Sequence, residues 1–302
     1  RCLPWCGRNS DGERGPAGGR LCVLGERMAE VLVIGRSSFL ARGFIDAHGA
    51  DGIRHAAWAD VARPEIFDGI GCVVNFALDP RYMREAYDPD LDCDRALAEA
   101  IGRAQADGRM PADAHVVMIS TRKVYGPAGD QPLVETRVPA PQDAYGRNKL
   151  VTEQLLQDRF GPNLTILRLS NIFGFEDLPG RRTFLGLLLR SLREEGVIRY
   201  DVSPFTVKDF LPAEAFAAAL VKVVRARPGG LFNIGSGVPL EAGWLAMWIL
   251  EGYGRGSLSI TDPSIRDAFT MDVQKFVARF GPIAGRDDIR AACLAIGRRL
   301  GG

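Results

Sequence analysis

Residues 30–41 read Glu-Val-Leu-Val-Ile-Gly-Arg-Ser-Ser-Phe-Leu-Ala, an apolar run that stops on a glycine and passes at once into a segment of helical character. The unbroken aliphatic stretch Val31 to Ile34 suits a strand covered on both faces. Small residues then fall at Gly35, Ser38 and Ala41. These are the three places where a dinucleotide-binding turn needs room: for the turn itself, for backbone N–H groups to approach a pyrophosphate, and for the new helix to pack on the strand. The start of a helix also favours the negative charge of a phosphate. On this reading Gly35, Arg36, Ser37, Ser38, Phe39 and Leu40 form the candidate cofactor loop. The same letters suit a plain strand-to-helix turn capped by Ser37 or Ser38, and from this segment alone both readings stand.

Outward from that turn, the chain alternates short β-branched runs with longer amphipathic segments, the pattern of a parallel sheet with helices on both faces. EVLVIG, CVVNFA, HVVMIS and LTILRLS are the strand candidates, and 38–48, 91–106 and 145–160 the helices between them. KDFLPAEAFAAALVKVVRA reads as a strand end followed by a helix, and GGLFNIGSG as another short strand, so the sheet is expected to continue there. The expected fold is α/β, a Rossmann-type doubly wound parallel sheet with a smaller C-terminal substrate lobe. The first domain takes residues 28–171, continued by about 207–235, and the lobe takes 172–206 and 236–302. Trp244 and Trp248, at helical spacing in that lobe, read as core contacts.

Residues 1–27 are rich in Gly, Arg and Cys without helical or strand period, and are expected to be disordered or an upstream extension ahead of Met28. The 302 residues carry a formal net charge of +1 with 46% hydrophobic and 25% charged residues. That balance gives no electrostatic reason to expect a nucleic acid or an anionic membrane as partner. No apolar run approaches the roughly 20 residues needed to cross a bilayer. The six cysteines are scattered, which indicates neither a zinc site nor a disulfide framework, so no metal is expected and a cytoplasmic location is the default.

The chemistry concentrates at Tyr145-Gly-Arg-Asn-Lys149, a tyrosine and a lysine one helical turn apart and therefore on one face. Hydride transfer at a carbinol carbon needs a group that exchanges the hydroxyl proton, and a tyrosine serves once a nearby ammonium favours its phenolate. Thr121 ends the run HVVMIST, where open α/β sheets bind their ligands, and can share the substrate oxygen. An isolated Tyr-x-x-x-Lys is common on surface helices, so its context matters.

The context is ISTRKVYG, then ETRVPAPQDAYGRNK, then RLSNIFG, with VVNFA before them and KDFLPAEAFAAAL and FNIGSG after them. In this order they resemble the extended, or atypical, short-chain dehydrogenases/reductases of the NAD-dependent epimerase/dehydratase family, which act on nucleotide sugars. The loop at Gly35 is similar to their Gly-x-x-Gly-x-x-Gly turn, with Ser38 and Ala41 in place of two glycines. The likeness covers most of the chain after Met28. It implies an NAD(P)-dependent enzyme with Tyr145 as acid/base, Lys149 also on the nicotinamide ribose, Thr121 orienting the substrate, and Asn75 and Ala77 beside the nicotinamide ribose. It further implies Asn171 at the sugar-nucleotide diphosphate, and a homodimer built through the 91–106 and 145–160 helices. Arg181, Arg182 and Lys208 are candidates for phosphate contact, Arg182 more readily a surface residue. Arg168 reads equally as a ligand contact or as a buried partner of a carboxylate, and His115 reads as structural.

A 4,6-dehydratase would carry an acidic pair directly after the catalytic Thr; Arg122 and Lys123 there argue against dehydration. Epimerisation of the GDP-fucose synthase kind would need a Cys and a His flanking the sugar, and neither Cys72 nor Cys93 falls at the expected place. Reduction of a keto sugar nucleotide, as in dTDP-4-dehydrorhamnose reductase, and 4-epimerisation through a transient ketone with tightly bound NAD are what remain. Compactness after Met28 and Arg36 favour the reductase. No acidic residue stands at the end of a second strand within GIRHAAWAD, and Arg36 suits a 2′-phosphate, which tips NAD or NADP slightly toward NADP; Asp60 could still reach the adenine end. A non-catalytic NAD(P)-sensing regulator is the reading from another class, supported only by the altered loop.

Overall fold

The computed structural model describes residues 30–49, 51–175 and 184–302. The expectations for residues 1–27, and for Arg181 and Arg182, lie outside the described residues. In chain order the elements are β1 Glu30–Ile34, α1 Phe39–His48, β2 Ile53–Ala56, β3 Ile70–Asn75, α2 Cys93–Ala106, β4 His115–Thr121, α3 Ala144–Phe160, β5 Leu164–Leu169, β6 Asn171–Phe173, α4 Phe184–Glu195, β7 Val197–Tyr200, β8 Val207–Lys208, β9 Phe210–Pro212, α5 Ala213–Ala226, β10 Gly230–Ile234, β11 Leu240–Glu241, α6 Ala242–Tyr253, β12 Ser257–Ile260, α7 Gln274–Phe280 and α8 Arg286–Gly301.

Six strands form one parallel sheet in the order β10-β5-β4-β3-β1-β2. Both faces are covered, which is why these strands are apolar without alternation. Val31, Val33, Val74 and Val117 point to the face packed with Phe44 of α1 and Phe216 and Leu220 of α5. Leu32, Ile34, Val73 and Met118 point to the opposite face, packed with Leu97 and Ile101 of α2 and Leu156 of α3. After β1 the chain lays β2 on one side and then β3 on the other, so a crevice opens at the carboxyl ends of β1 and β3, where such sheets take their ligands.

One expected continuation of the sheet is corrected. The strand in KDFLP, β9, pairs with β6 in a separate two-stranded ladder, while the strand in GGLFNIGSG, β10, takes the edge of the main sheet. The place beside β5 is taken by Gly230 to Ile234, and Phe210 to Pro212 pair instead with Asn171 to Phe173. A third apolar cluster gathers Leu188 and Leu192 of α4, Leu245 and Ile249 of α6, and Ile289 and Cys293 of α8. Of the tryptophan pair there, Trp248 is core at 6% exposure, whereas Trp244 is 45% exposed and packs its ring 5.8 Å from that of Trp248.

Helix α3 starts where Asp143 accepts a hydrogen bond from the Gly146 amide at 2.8 Å. Its first turn lies so close to the turn after β4 that a Cβ on Gly146 would fall 2.6 Å from the Lys123 carbonyl oxygen and 3.0 Å from Pro141 Cβ. Glycine at 146 is therefore what lets Tyr145 come beside the end of β4. Behind the site, His115 opens β4, buried, with Nε2 2.8 Å from Thr165 Oγ1 of β5.

Gly146→Ala is expected to destabilise the fold by about 1–3 kcal/mol through overpacking, outweighing the gain of about 1 kcal/mol in helix propensity; denaturant unfolding of the two proteins measures it. Burial, aided by Arg227, pushes the His115 imidazole down to about 4 from 6.5. The unfolded chain therefore binds the extra proton first, and the stability that neutral His115 contributes is lost as pH falls from 6.5 toward 4. A His115→Gln protein is expected to show a flatter Tm profile over that interval.

Candidate active site

The candidate cofactor loop turns sharply between β1 and α1. Gly35 has φ +82°, and a Cβ there would lie 2.6 Å from the Ala77 amide nitrogen and 2.9 Å from the Phe76 carbonyl carbon. Only glycine permits the backbones after β1 and β3 to approach this closely. Ser38 occupies the position before α1 but its side chain makes no capping hydrogen bond, so the first amides of α1 and the Ser38 hydroxyl are not consumed by a local cap. Ser38 is therefore not a side-chain cap of α1. A cavity of about 350 Å³ opens here, lined by Gly35, Ser37, Ser38, Ala57, Trp58 and Ala77 among others. A glycine cradle that a Cβ would fill, at an uncapped helix start, fits a pyrophosphate.

Phe39 and Leu40 contribute main chain at most. The Phe39 ring packs where a Cβ on Gly174 would sit, and Leu40 packs on the core under α1. Arg36 is exposed, and its amide donates to the Ala56 carbonyl at 3.4 Å, at the very end of β2. Asp60 does not reach this place: its Oδ2 accepts from the Ala57 amide at 2.9 Å and its Oδ1 faces Arg63 at 3.4 Å. Trp58, which the sequence did not single out, stands there instead, 37% exposed.

Tyr145 and Lys149 share one face of α3, with the Tyr145 ring edge-on to Tyr82 at 6.4 Å. Lys149 is buried and donates from Nζ to Asp94 Oδ2 at 2.8 Å, the two side chains being 5% and 8% exposed. Asn75 Nδ2 donates to the other oxygen of Asp94, also at 2.8 Å, while Asn75 Oδ1 accepts from the Ala77 amide at 2.9 Å. Asn75 thus organises the loop beside the cofactor cavity. Thr121 is half-buried at the end of β4, its hydroxyl oxygen accepting from the Lys123 amide at 3.3 Å.

Burial raises the pKa of the Tyr145 phenol; Lys149 opposes this, and Asp94 and Asp143 reinforce it, so the group sits above its ordinary value. Burial works against the charge of Lys149, but Asp94 beside it outweighs that and holds the ammonium above the usual lysine range. Asp94 was missed in the sequence. Its signal was a carboxylate in register with Leu97, Ala98 and Ile101, on the apolar stripe of α2.

A second cavity, of about 550 Å³, is lined by Asn171, Lys208, Arg122, Lys123, Arg266 and Asp267 among others. Arg122 lies flat over the Phe269 ring at 3.9 Å and forks onto Asp267, with Nη1–Oδ1 at 2.7 Å. Lys208 reaches the same carboxylate at 3.4 Å. Burial works against the Asp267 charge, yet Arg122 and Lys208 keep its carboxyl below the usual range. Lys123 pairs with Asp143 at 2.5 Å. Arg168 is resolved as the partner of a carboxylate: Nε and Nη2 donate to Glu153 at 3.0 and 2.6 Å, and the guanidinium covers the Tyr125 ring at 4.4 Å. Neither cysteine is an activated thiol. Cys72 lies in the core under β3 and Cys93 lines the cofactor cavity, and burial pushes their thiols up to about 12 and about 11. Among the described residues no cluster of His, Cys, Asp and Glu could hold a metal ion, and no helix is long and apolar enough to cross a membrane.

The model of the NAD dependent epimerase/dehydratase family matches residues 12–235. Among solved structures, MoeE5 in complex with UDP-glucose and NAD is 21% identical, with a TM-score of 0.69 over 89% of this chain and 99% of that one. The UDP-N-acetylglucosamine 4-epimerase from Methanobrevibacter ruminantium M1, in complex with UDP-N-acetylmuramic acid, is 16% identical, with a TM-score of 0.74 over 89% and 97%. RMD from Pseudomonas aeruginosa, complexed with NADPH, is 16% identical, with a TM-score of 0.71 over 90% and 99%. At these identities the likeness speaks for the fold. No curated protein matches the sequence. The family match spans the sheet from β1 to β10 and every residue of the Thr121, Tyr145 and Lys149 set, and the chain is accordingly an enzyme of the NAD-dependent epimerase/dehydratase family.

Proposed function

We propose that the chain reduces the keto group of a nucleotide sugar, with NADPH as the preferred reductant. The observation that carries this reading is the identity of the groups after Thr121. Arg122 and Lys123 are cations tied to Asp267 and Asp143, so the turn offers no second acid or base beside the threonine. One proton donor suffices for reduction, whereas expelling water from the sugar needs a further acid–base pair.

The bound nicotinamide would supply the hydride to the carbonyl carbon. Tyr145 gives its proton to the carbonyl oxygen as that oxygen gains charge, Thr121 directs the same oxygen by hydrogen bond, and Lys149 stabilises the phenolate left behind. The loop Gly35 to Leu40, with Asn75 and Ala77 opposite, takes the pyrophosphate and the ribose beside the nicotinamide. Arg36 at the end of β2, where Asp60 is turned away, suits a 2′-phosphate. Asn171 and Lys208 take the diphosphate of the substrate in the cavity of about 550 Å³; Arg181, outside the described residues, stands as a further phosphate contact by sequence alone. The lobe of residues 172–206 and 236–302 is then the substrate side of the molecule, and a homodimer through α2 and α3 is the assembly suited to the family.

Purified protein is expected to oxidise NADPH steadily with a 4-keto sugar nucleotide; interconversion of sugars without net cofactor turnover would instead assign a 4-epimerase. Tyr145→Phe is expected to lower kcat by about 10²–10⁴-fold while NADPH binding persists. Unchanged turnover in that variant would remove Tyr145 from the chemistry. Arg36→Ala is expected to weaken NADPH by about ten- to a hundredfold and leave NADH unaffected, the loss of a charged hydrogen bond to phosphate, as read by fluorescence titration of each cofactor.

A further inference from the structure

The ammonium of Lys149 has a permanent counter-ion. Asp94 of α2 holds it at 2.8 Å, and Asn75 of β3 fixes the other carboxylate oxygen, so three elements converge on one buried contact. Around Lys149 stand Asp94, Tyr145, the Tyr82 ring, whose centroid is 5.7 Å from Nζ, and Asp92, buried just before α2, whose carboxylate accepts from the Thr152 hydroxyl and lies within electrostatic reach of both Asp94 and Lys149. Around Tyr145 stand Lys149 and Asp143 on its own helix, Asp94 from α2 and Tyr82 from the turn Pro80–Met83, while Lys123, from the turn after β4, is paired with Asp143.

Charge counting in this enclosure decides the resting state. With Tyr145 as phenol, Asp94 and Lys149 sum to zero. With Tyr145 as phenolate, the three groups carry one uncompensated negative charge on a half-buried ring beside a buried ion pair, which is unfavourable. Were Asp94 neutral, one negative charge fewer would oppose a second one on Tyr145, and the phenolate would be easier to form than in the parent.

We infer that Asp94 is a positioning residue that anchors Lys149 and, by neutralising it, keeps Tyr145 a phenol, so that the resting site is set to give a proton rather than to take one. The inference rests on the reading of Tyr145 as the acid/base and deepens it toward reduction. In that direction the hydride pair from the reduced nicotinamide forms the new C–H bond, the carbonyl π pair moves to oxygen, and that oxygen takes the Tyr145 proton. An alkoxide is far more basic than a phenolate, so a weakly acidic phenol is still an adequate donor, and one of raised pKa is quickly reprotonated from solvent. Oxidation of an alcohol would need the phenolate at rest, which Asp94 opposes.

The test is spectrophotometric titration of the Tyr145 phenolate, taken as the difference between each protein and its Tyr145→Phe counterpart, with no substrate present. Asp94→Asn is expected to bring the phenolate absorbance in at a pH lower by about one unit or more than in the parent. Superimposable curves would overturn the inference. Should Asp94→Asn fail to fold, Asp94→Ser removes the same charge and is read identically. Asn75→Leu unties the carboxylate from β3 but keeps its charge, and is expected to titrate like the parent; an equal shift there would assign the effect to packing and overturn the proposal. Where a 4-keto sugar nucleotide oxidises NADPH, the alkaline limb of kcat moves to lower pH in Asp94→Asn, whereas a purely structural role would lower kcat without moving the limb. If no keto sugar nucleotide turns over, the reductase reading fails while the titration still judges Asp94.

Discussion

A buried ammonium has to be compensated, and in this fold that single requirement ties the site together. Lys149 lies too deep for water to solvate it, so the chain supplies Asp94 from a neighbouring helix, and Asp94 in turn is held by an amide from a strand of the main sheet. Breaking such a pair by removing one partner is far more damaging than its net contribution to stability suggests, because the remaining charge stays out of water. The three elements that meet there, β3, α2 and α3, are also those that carry Asn75 and the Tyr145 face. The geometry of the chemistry and the electrostatics of the core are one arrangement.

Two close backbone approaches complete it. At Gly35 the turn after β1 touches the segment after β3, and at Gly146 the first turn of α3 touches the turn after β4. Each contact excludes a Cβ, and each brings a functional segment within reach of the crevice at the strand ends. The sheet order makes that crevice, and the two glycines let the backbones on either side of it come together.

Much of this could be read in the letters because burial on both faces leaves an unmistakable trace. Glu30–Ile34, His115–Thr121 and Leu164–Leu169 are mainly apolar without strict alternation for that reason, and their apolar residues feed opposite cores. Tyr145 and Lys149 could be placed on one face from helical spacing alone. What escaped was partner choice. Nothing local in Phe210–Pro212 says that it pairs with Asn171–Phe173 rather than joining the main sheet. Asp60 sits within reach of the cofactor by sequence, yet a bond to the Ala57 amide three residues back claims it. Asp94 faces inward with Leu97, Ala98 and Ile101, and only the assembled packing shows which cation it meets there. Arg168 and Trp244 divide the same way, since exposure and pairing are properties of the assembled chain.

Asp267 bears on how the larger cavity treats its visitors. The residue is held at φ 56°, a backbone state that aspartate tolerates better than bulkier side chains, with its carboxylate on Arg122 and Lys208. Both cations of that wall are thus already engaged by a carboxylate of the chain itself, so any anion that uses Arg122 or Lys208 has first to take the place of Asp267.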